Sequence, residues 1–158
     1  MITAPHVHTT LSDRWLCRVC PEIERPTTPD HIIIDMMGPN DIFVFGSNTL
    51  GIHGKGAAKT AKRWFGARHG VGEGLIGNSY ALPTLYAEQV GQLILTKRTD
   101  DDLYESMCIF YNCADDHPGL LFWLTRVGCG LASYEEAYMI ELFSSIPTPT
   151  NILKPEGW

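Results

Sequence analysis

Apolar residues along this chain come in short continuous runs rather than strict alternation. "DIFVF" (Asp41–Phe45) and "LLFWLT" (Leu120–Thr125) have the form of strands covered on both faces, as in a parallel sheet. "HIIIDM" (His31–Met36), "SYALPT", ending at Pro83, and "QLILT" add three further short strands. Between these runs the period changes to that of a helix. From Lys55 to about Phe65 a segment rich in Ala and Lys places Ala57, Ala58, Ala61 and Phe65 on one packed face. A second helix starts at a cap, Thr99 or Asp100, and runs to about Asp116 with Leu103, Met107, Phe110, Tyr111 and Ala114 at helical spacing. "HPG" stops it. A third spans Tyr134 to Ser145. "GARHGVGEGLIGN" holds too much glycine for either element and is predicted as loop.

The order strand, helix, strands, helix, strand, helix calls for an α/β fold, with a parallel or mixed sheet and helices on its faces. The pattern divides the chain into an N-terminal arm (1–30), a main domain (31–146) and a proline-rich tail (147–158). In such sheets the ligand crevice lies beyond the carboxyl ends of the strands. Two glycine-rich loops, Gly46–Gly56 and Gly128–Ser133, follow strands there, so the topology predicts that they meet.

Composition changes this picture little. The chain has 158 residues, 44% hydrophobic and 19% charged, which fits one globular domain. A formal net charge of −6 weighs against a protein that grips nucleic acid through a generally basic surface. The cations are nonetheless gathered: Lys55, Lys59, Lys62, Arg63 and Arg68 all lie near the first glycine loop. No run approaches the roughly 20 apolar residues of a membrane span, and the start of the chain lacks a charged-then-apolar leader, so no membrane partner and a cytoplasmic location are expected. Five cysteines agree with a reducing compartment. Cys17 and Cys20 form a CxxC downstream of His6 and His8, four side chains that either hold a structural zinc or remain free on the arm. The arm's five threonines and four prolines in 29 residues give it little periodicity.

A glycine loop that opens a helix brings backbone N–H groups and the positive end of the helix dipole to an anion. Either glycine loop could instead be a simple tight turn, and it is their pairing after buried strands that points to a ligand. Standard nucleotide motifs do not fit. Gly51-Ile-His-Gly-Lys-Gly has the wrong spacing for a P-loop, with Gly56 where Ser or Thr belongs, and no GxGxxG follows the first strong strand.

The series "DIFVFGSNTLGIHGKGAAKTAKRWFGA", "GEGLIGNSYALPT" and "LTRVGCGLASYEEA", about Asp41 to Phe143, resembles the macro domain family. "GIHGKGAAKTAKRWF" is similar to the form found in macro domains that remove ADP-ribose from DNA, and the whole pattern to macro-like proteins of bacteria and phages. The resemblance implies a three-layer α/β/α sandwich with a mixed, mostly parallel sheet whose cleft binds ADP-ribose or a derivative. It implies that Asp41 contacts adenine and that Gly46, Ser47 and Asn48 follow the first core strand, Asn48 facing the distal ribose. Gly54, Lys55 and Gly56 would form the first phosphate loop. Gly128, Cys129, Gly130, Leu131 and Ala132 would form the second, and Tyr134 would stack on the ribose. The catalytic signatures are incomplete: Lys55 stands where many protein-deacylating members carry aspartate, and Leu85 follows Thr84 where the DNA-directed group has lysine. His53 is the remaining acid–base candidate, beside Asn48 as orienting group; it reads equally as a structural loop histidine. Cys129 either sits among backbone donors that lower its pKa or is simply a small packing residue of the loop. Three functions follow from this: sequestration of an ADP-ribose-type signalling nucleotide as a counter-defence protein would do; hydrolysis at C1″ of the distal ribose, releasing ADP-ribose from a modified macromolecule; or an interaction module without nucleotide affinity. None needs a metal or cofactor.

Overall fold

The computed structural model describes residues 27–28 and 37–158. The CxxC with His6 and His8, nearly all of the arm, and the strand expected over His31–Met36 lie outside the described residues. Within them, the elements in chain order are β1 (Asp41–Asn48), α1 (Gly56–Trp64), β2 (Gly74–Ile76), β3 (Ser79–Val90), β4 (Gln92–Lys97), α2 (Asp100–Asp116), β5 (Leu121–Leu124), α3 (Glu136–Ser144) and β6 (Ile152–Leu153).

The sheet runs β2-β3-β1-β5-β6, with β4 paired to β3. β1–β3, β1–β5 and β5–β6 are parallel, while β2 and β4 lie antiparallel to β3. β1 sits at the centre because both of its faces are apolar, and successive residues point to opposite sides. Ile42 and Val44 face one core, with Tyr80, Leu82, Phe122 and Leu124 from neighbouring strands. Against it pack Met107, Phe110, Tyr111 and Ala114 of α2 and Met139 and Phe143 of α3. Phe43 and Phe45 face the other core, which takes Ala58 and Ala61 of α1 together with Phe65. Helices thus cover both faces, giving the three-layer α/β/α arrangement.

A nine-residue helix does not hold itself together in water. α1 also lacks a side-chain cap, since Lys55 makes no capping bond. Its stability comes from burial, and the Phe65 ring stacks on Phe43 at 4.7 Å. α2 is better provisioned. Thr99 Oγ1 accepts the Asp102 N–H at 3.2 Å, and Asp100, Asp101 and Asp102 complement the positive end of the dipole.

Four local expectations change. β3 does not stop at Pro83 but runs on to Val90. The register with β1 shifts at that point, Ser47 lying opposite Pro83 and Asn48 opposite Leu85, and this irregularity accommodates a residue without an N–H. The glycine-rich loop contains β2. The proline-rich tail supplies β6, anchored by Asn151, whose Nδ2 donates to the carbonyls of Ala114, His117 and Leu120 at 2.8, 2.9 and 3.0 Å. Ala57, expected in the packed face of α1, is exposed. No helix among the described residues is long and apolar enough to cross a membrane.

Candidate functional site

β1 and β5 are neighbours, but the chain leaves them in opposite directions. After β1 it enters α1 on one face; after β5 it turns through 126–135 into α3 on the other. A crevice must open between two such exits. It does: a cleft of about 500 Å³ lies there, a size ordinary for small-ligand sites. Its floor is Gly46, Ser47 and Asn48, the carboxyl end of β1. One side is Ile52 and Gly54 to Ala58, the loop and first turn of α1. The other is Thr125 to Gly128 and Gly130 to Ala132. A third wall, Thr84, Leu85, Leu93 and Leu95, comes from β3 and β4. The two glycine loops therefore meet as expected: a Cβ placed on Gly46 would stand 3.6 Å from the Gly128 nitrogen.

The glycines divide into two kinds. Gly51, Gly72 and Gly128 are required by the fold itself. A Cβ on Gly72 would lie 2.3 Å from the Asn48 carbonyl oxygen, and one on Gly51 (φ +69°) 2.4 Å from the Val71 nitrogen. Gly128 (φ +79°) would press on Met139 and Tyr134. Gly54 and Gly130 have no such reason. Neither lies in the left-handed region and nothing stands within 4 Å of their Cβ positions, yet both line the cleft. Bare backbone facing open space leaves room for close approach of a ligand.

The amides available there suit an anion. Among the described residues those of Gly130, Leu131 and Ala132 have no backbone acceptor, and the first turn of α1 has neither a side-chain cap nor an acidic residue. The cleft's charged side chains are Lys55 and Arg126, the latter held by Glu136 and by the Glu156 carbonyl at 3.0 Å. The remaining lining is aliphatic, hydroxyl or amide.

Several residues expected at the site serve the scaffold instead. Asp41 is buried at the opposite end of β1, where its Oδ2 accepts the Gly38 N–H at 2.7 Å. His53 does not line the cleft. It is 4% exposed, lies edge-on to Phe45 at 5.2 Å, and its Nε2 meets the Val71 carbonyl at 3.1 Å. Burial lowers its pKa from the ordinary histidine value, against the opposing pull of the Val71 and Arg68 carbonyls. Asn48 does border the cleft, but its amide clasps the loop: Nδ2 donates to the Ile52 carbonyl at 2.9 Å and Oδ1 accepts the Ile52 N–H at 3.1 Å. Ser47 likewise donates its hydroxyl to the Gly72 carbonyl. Tyr134 stands behind the second loop, its hydroxyl accepting the Arg98 N–H at 2.9 Å and lying 3.0 Å from the Thr84 carbonyl. Cys129 packs against the core, and burial, with the Glu136 charge, raises its thiol pKa rather than lowering it.

Other cleft residues were not foreseen: Ile52, Ala57, Ala58, Thr84, Leu85, Leu93, Leu95, Thr125, Arg126 and Val127. A signal existed for two of them. In "GQLILTK" Leu93 and Leu95 alternate with polar or outward residues after Gly91 (φ +74°), the pattern of a hairpin strand with one apolar face. Among the described residues no group of three or more His, Cys, Asp or Glu is arranged to hold a metal ion. No family model matches the chain, and no curated protein or solved structure matches it significantly.

Proposed function

We propose that the chain is a macro-like protein that binds ADP-ribose, or a signalling nucleotide derived from it, in the cleft and sequesters it in the cytoplasm. One observation carries the reading: Gly54 and Gly130, neither needed for packing nor for backbone conformation, border one cleft together with uncommitted amides and two cations. Such a cradle suits a diphosphate, whose charge the helix start and the Lys55 and Arg126 side chains favour. The apolar wall of Leu85, Leu93 and Leu95 suits a nucleobase lying against it. Free thiols at Cys108, Cys113 and Cys129 agree with a reducing compartment.

Sequestration is favoured over hydrolysis at C1″ by the position of His53. A general acid or base must come within hydrogen-bond reach of the reacting atom, and this imidazole is buried outside the cleft lining with its Nε2 on the Val71 carbonyl. Isothermal titration with ADP-ribose, ADP and inorganic pyrophosphate tests the reading, with mass spectrometry of the ligand after incubation. Expected is one site per chain for ADP-ribose, weaker binding of the fragments, and ligand recovered unchanged. Turnover of an ADP-ribosylated substrate favours the hydrolase; no heat with any of the three favours an interaction module without nucleotide affinity.

A further inference from the structure

β4 ends the sheet on one side, and nothing among the described residues finishes it. The strand pairs only with β3, and beyond that ladder no backbone group from Gln92 to Lys97 bonds to another described segment. The N–H and C=O groups of every second residue therefore face outward in a row, a template for one more strand. Exposed edges are usually blunted by a charge, a proline or a bulge. Here the residues from Gln89 to Thr96 are uncharged and include no proline, and the ladder to β3 runs without a register shift. The one cation of the strand, Lys97, is turned into the body, with its ammonium on the Ser133 carbonyl at 2.8 Å and 4.9 Å from the Tyr134 ring centre.

The side chains point the same way. Leu93 and Leu95 share the face that lines the cleft, and the cleft accounts for them. Ile94 and Val90 stand on the opposite face, 42% and 73% exposed, where a ligand in the cleft does not reach. A strand apolar on both faces and open along its backbone fits a further strand. The order of its residues says which one. Gln92-Leu93-Ile94-Leu95-Thr96 runs polar, apolar, apolar, apolar, polar, the same in both directions. Laid antiparallel on a second copy of itself about Ile94, it sets Ile94 against Ile94, Leu93 against Leu95 and Gln92 against Thr96. Directly opposed residues share a face, so each meets its own kind. Lys97 falls opposite Gly91, and no like charges meet at the edge although each copy carries −6. A foreign peptide matches this edge only if its own sequence happens to suit; a second copy matches it by symmetry.

We infer that two copies of the chain pair through β4, about a two-fold axis at Ile94, joining their sheets into one. The pairing closes on itself because both copies spend the same edge. It sets the Leu93 and Leu95 rows of the two copies side by side on one face, so that the apolar walls of the two clefts adjoin. The inference does not depend on what the cleft binds.

Sedimentation velocity of the full chain from about 2 to 200 µM tests this, the range in which an interface under about 800 Å² per partner shows itself. Expected is a reversible shift from one 17.6 kDa chain to two. Ile94→Lys removes the central apolar pair and sets like charges on the axis, and should weaken the dimer about tenfold. Thr96→Lys meets Gln92 instead and should leave affinity within about threefold. An equimolar mixture of Ile94→Lys and Ile94→Glu should dimerise more tightly than either variant alone, since opposite charges then face each other across the axis. Both positions are exposed, and circular dichroism with melting shows that the variants stay folded. A chain that stays monomeric throughout overturns the inference and leaves the edge to another occupant, the N-terminal arm or a foreign strand. So does wild-type dimerisation in Ile94→Lys, equal weakening by Thr96→Lys, a mixture no tighter than its parts, or growth beyond two copies.

Discussion

Replacing glycines of the two kinds by alanine is expected to give opposite results. At Gly72 the new methyl would stand 2.3 Å from the Asn48 oxygen, where ordinary contact begins at 3.4 Å. Both groups are backbone, so β1 or the 66–73 loop must move by about 1 Å, and overpacking of this kind costs about 1–3 kcal/mol. The same movement breaks the Ser47 hydroxyl bond to the Gly72 carbonyl, a further loss of about 1 kcal/mol. Destabilisation of about 2–4 kcal/mol in a domain of this size lowers Tm by about 5–15 °C. At Gly54 and Gly130 the methyl meets nothing, and the restricted unfolded chain raises stability by up to about 1 kcal/mol. In the cleft, however, the methyl would occupy space that the proposed cradle gives to a phosphate. Loss of one amide bond to a charged group is about 1.5–3 kcal/mol, or about 10- to 150-fold in affinity. Differential scanning calorimetry with ADP-ribose titration of all three variants reads both effects. Wild-type affinity in Gly54→Ala and Gly130→Ala refutes the cradle, and an unshifted Tm in Gly72→Ala refutes the packing argument.

His53 supplies a pH signature. Its folded pKa lies below the unfolded value of about 6.5, so its contribution to stability is complete above that pH and is lost as pH falls toward the folded value. The Tm of the wild type should therefore fall from pH 7 to 5.5 more steeply than that of His53→Gln, with ADP-ribose affinity the same in both; parallel curves, or a binding defect in the variant, contradict the structural role. Asn151→Ala removes the buried amide that donates to the Ala114, His117 and Leu120 carbonyls and should cost about 1–3 kcal/mol in urea unfolding; a cost under about 0.5 kcal/mol contradicts the anchoring of β6. Leu95→Glu places a carboxylate on the cleft wall, where a like charge about 10 Å away is repelled by about 1.7 kcal/mol at an effective dielectric of 20. Affinity for ADP-ribose should drop at least about tenfold with little change in Tm, and undiminished affinity argues against an anionic ligand.

β1, α2 and β5 were legible in the sequence because each follows one period for its whole length and α2 has a side-chain cap. β2 was hidden because three residues between glycines carry no period, and β6 because two residues in a proline-rich segment gain meaning only from β5, some thirty positions earlier. The passage of β3 through Pro83 depends on a register shift in its partner, which the residues of β3 alone do not encode. At the site, the glycine loops announced themselves through composition and their place after buried strands. What composition could not give was the allocation of polar groups. Asn48, Ser47, His53 and Tyr134 look chemically available in a sequence, and each is bonded to a backbone group that folding brings from 4 to 50 positions away. Asp41 was misplaced because a strand's two ends read alike until it is known which one meets the helix start.

β3 and β4 meet the second glycine loop through Lys97, whose ammonium donates to the Ser133 carbonyl at 2.8 Å, and through the Tyr134 hydroxyl, which joins Arg98 to Thr84. Two walls of the cleft are in this way braced to each other like the jaws of a fixed wrench. A guest between these two walls would meet a gap whose width is set by the fold beforehand, so entry there would be sorted by size rather than by closure.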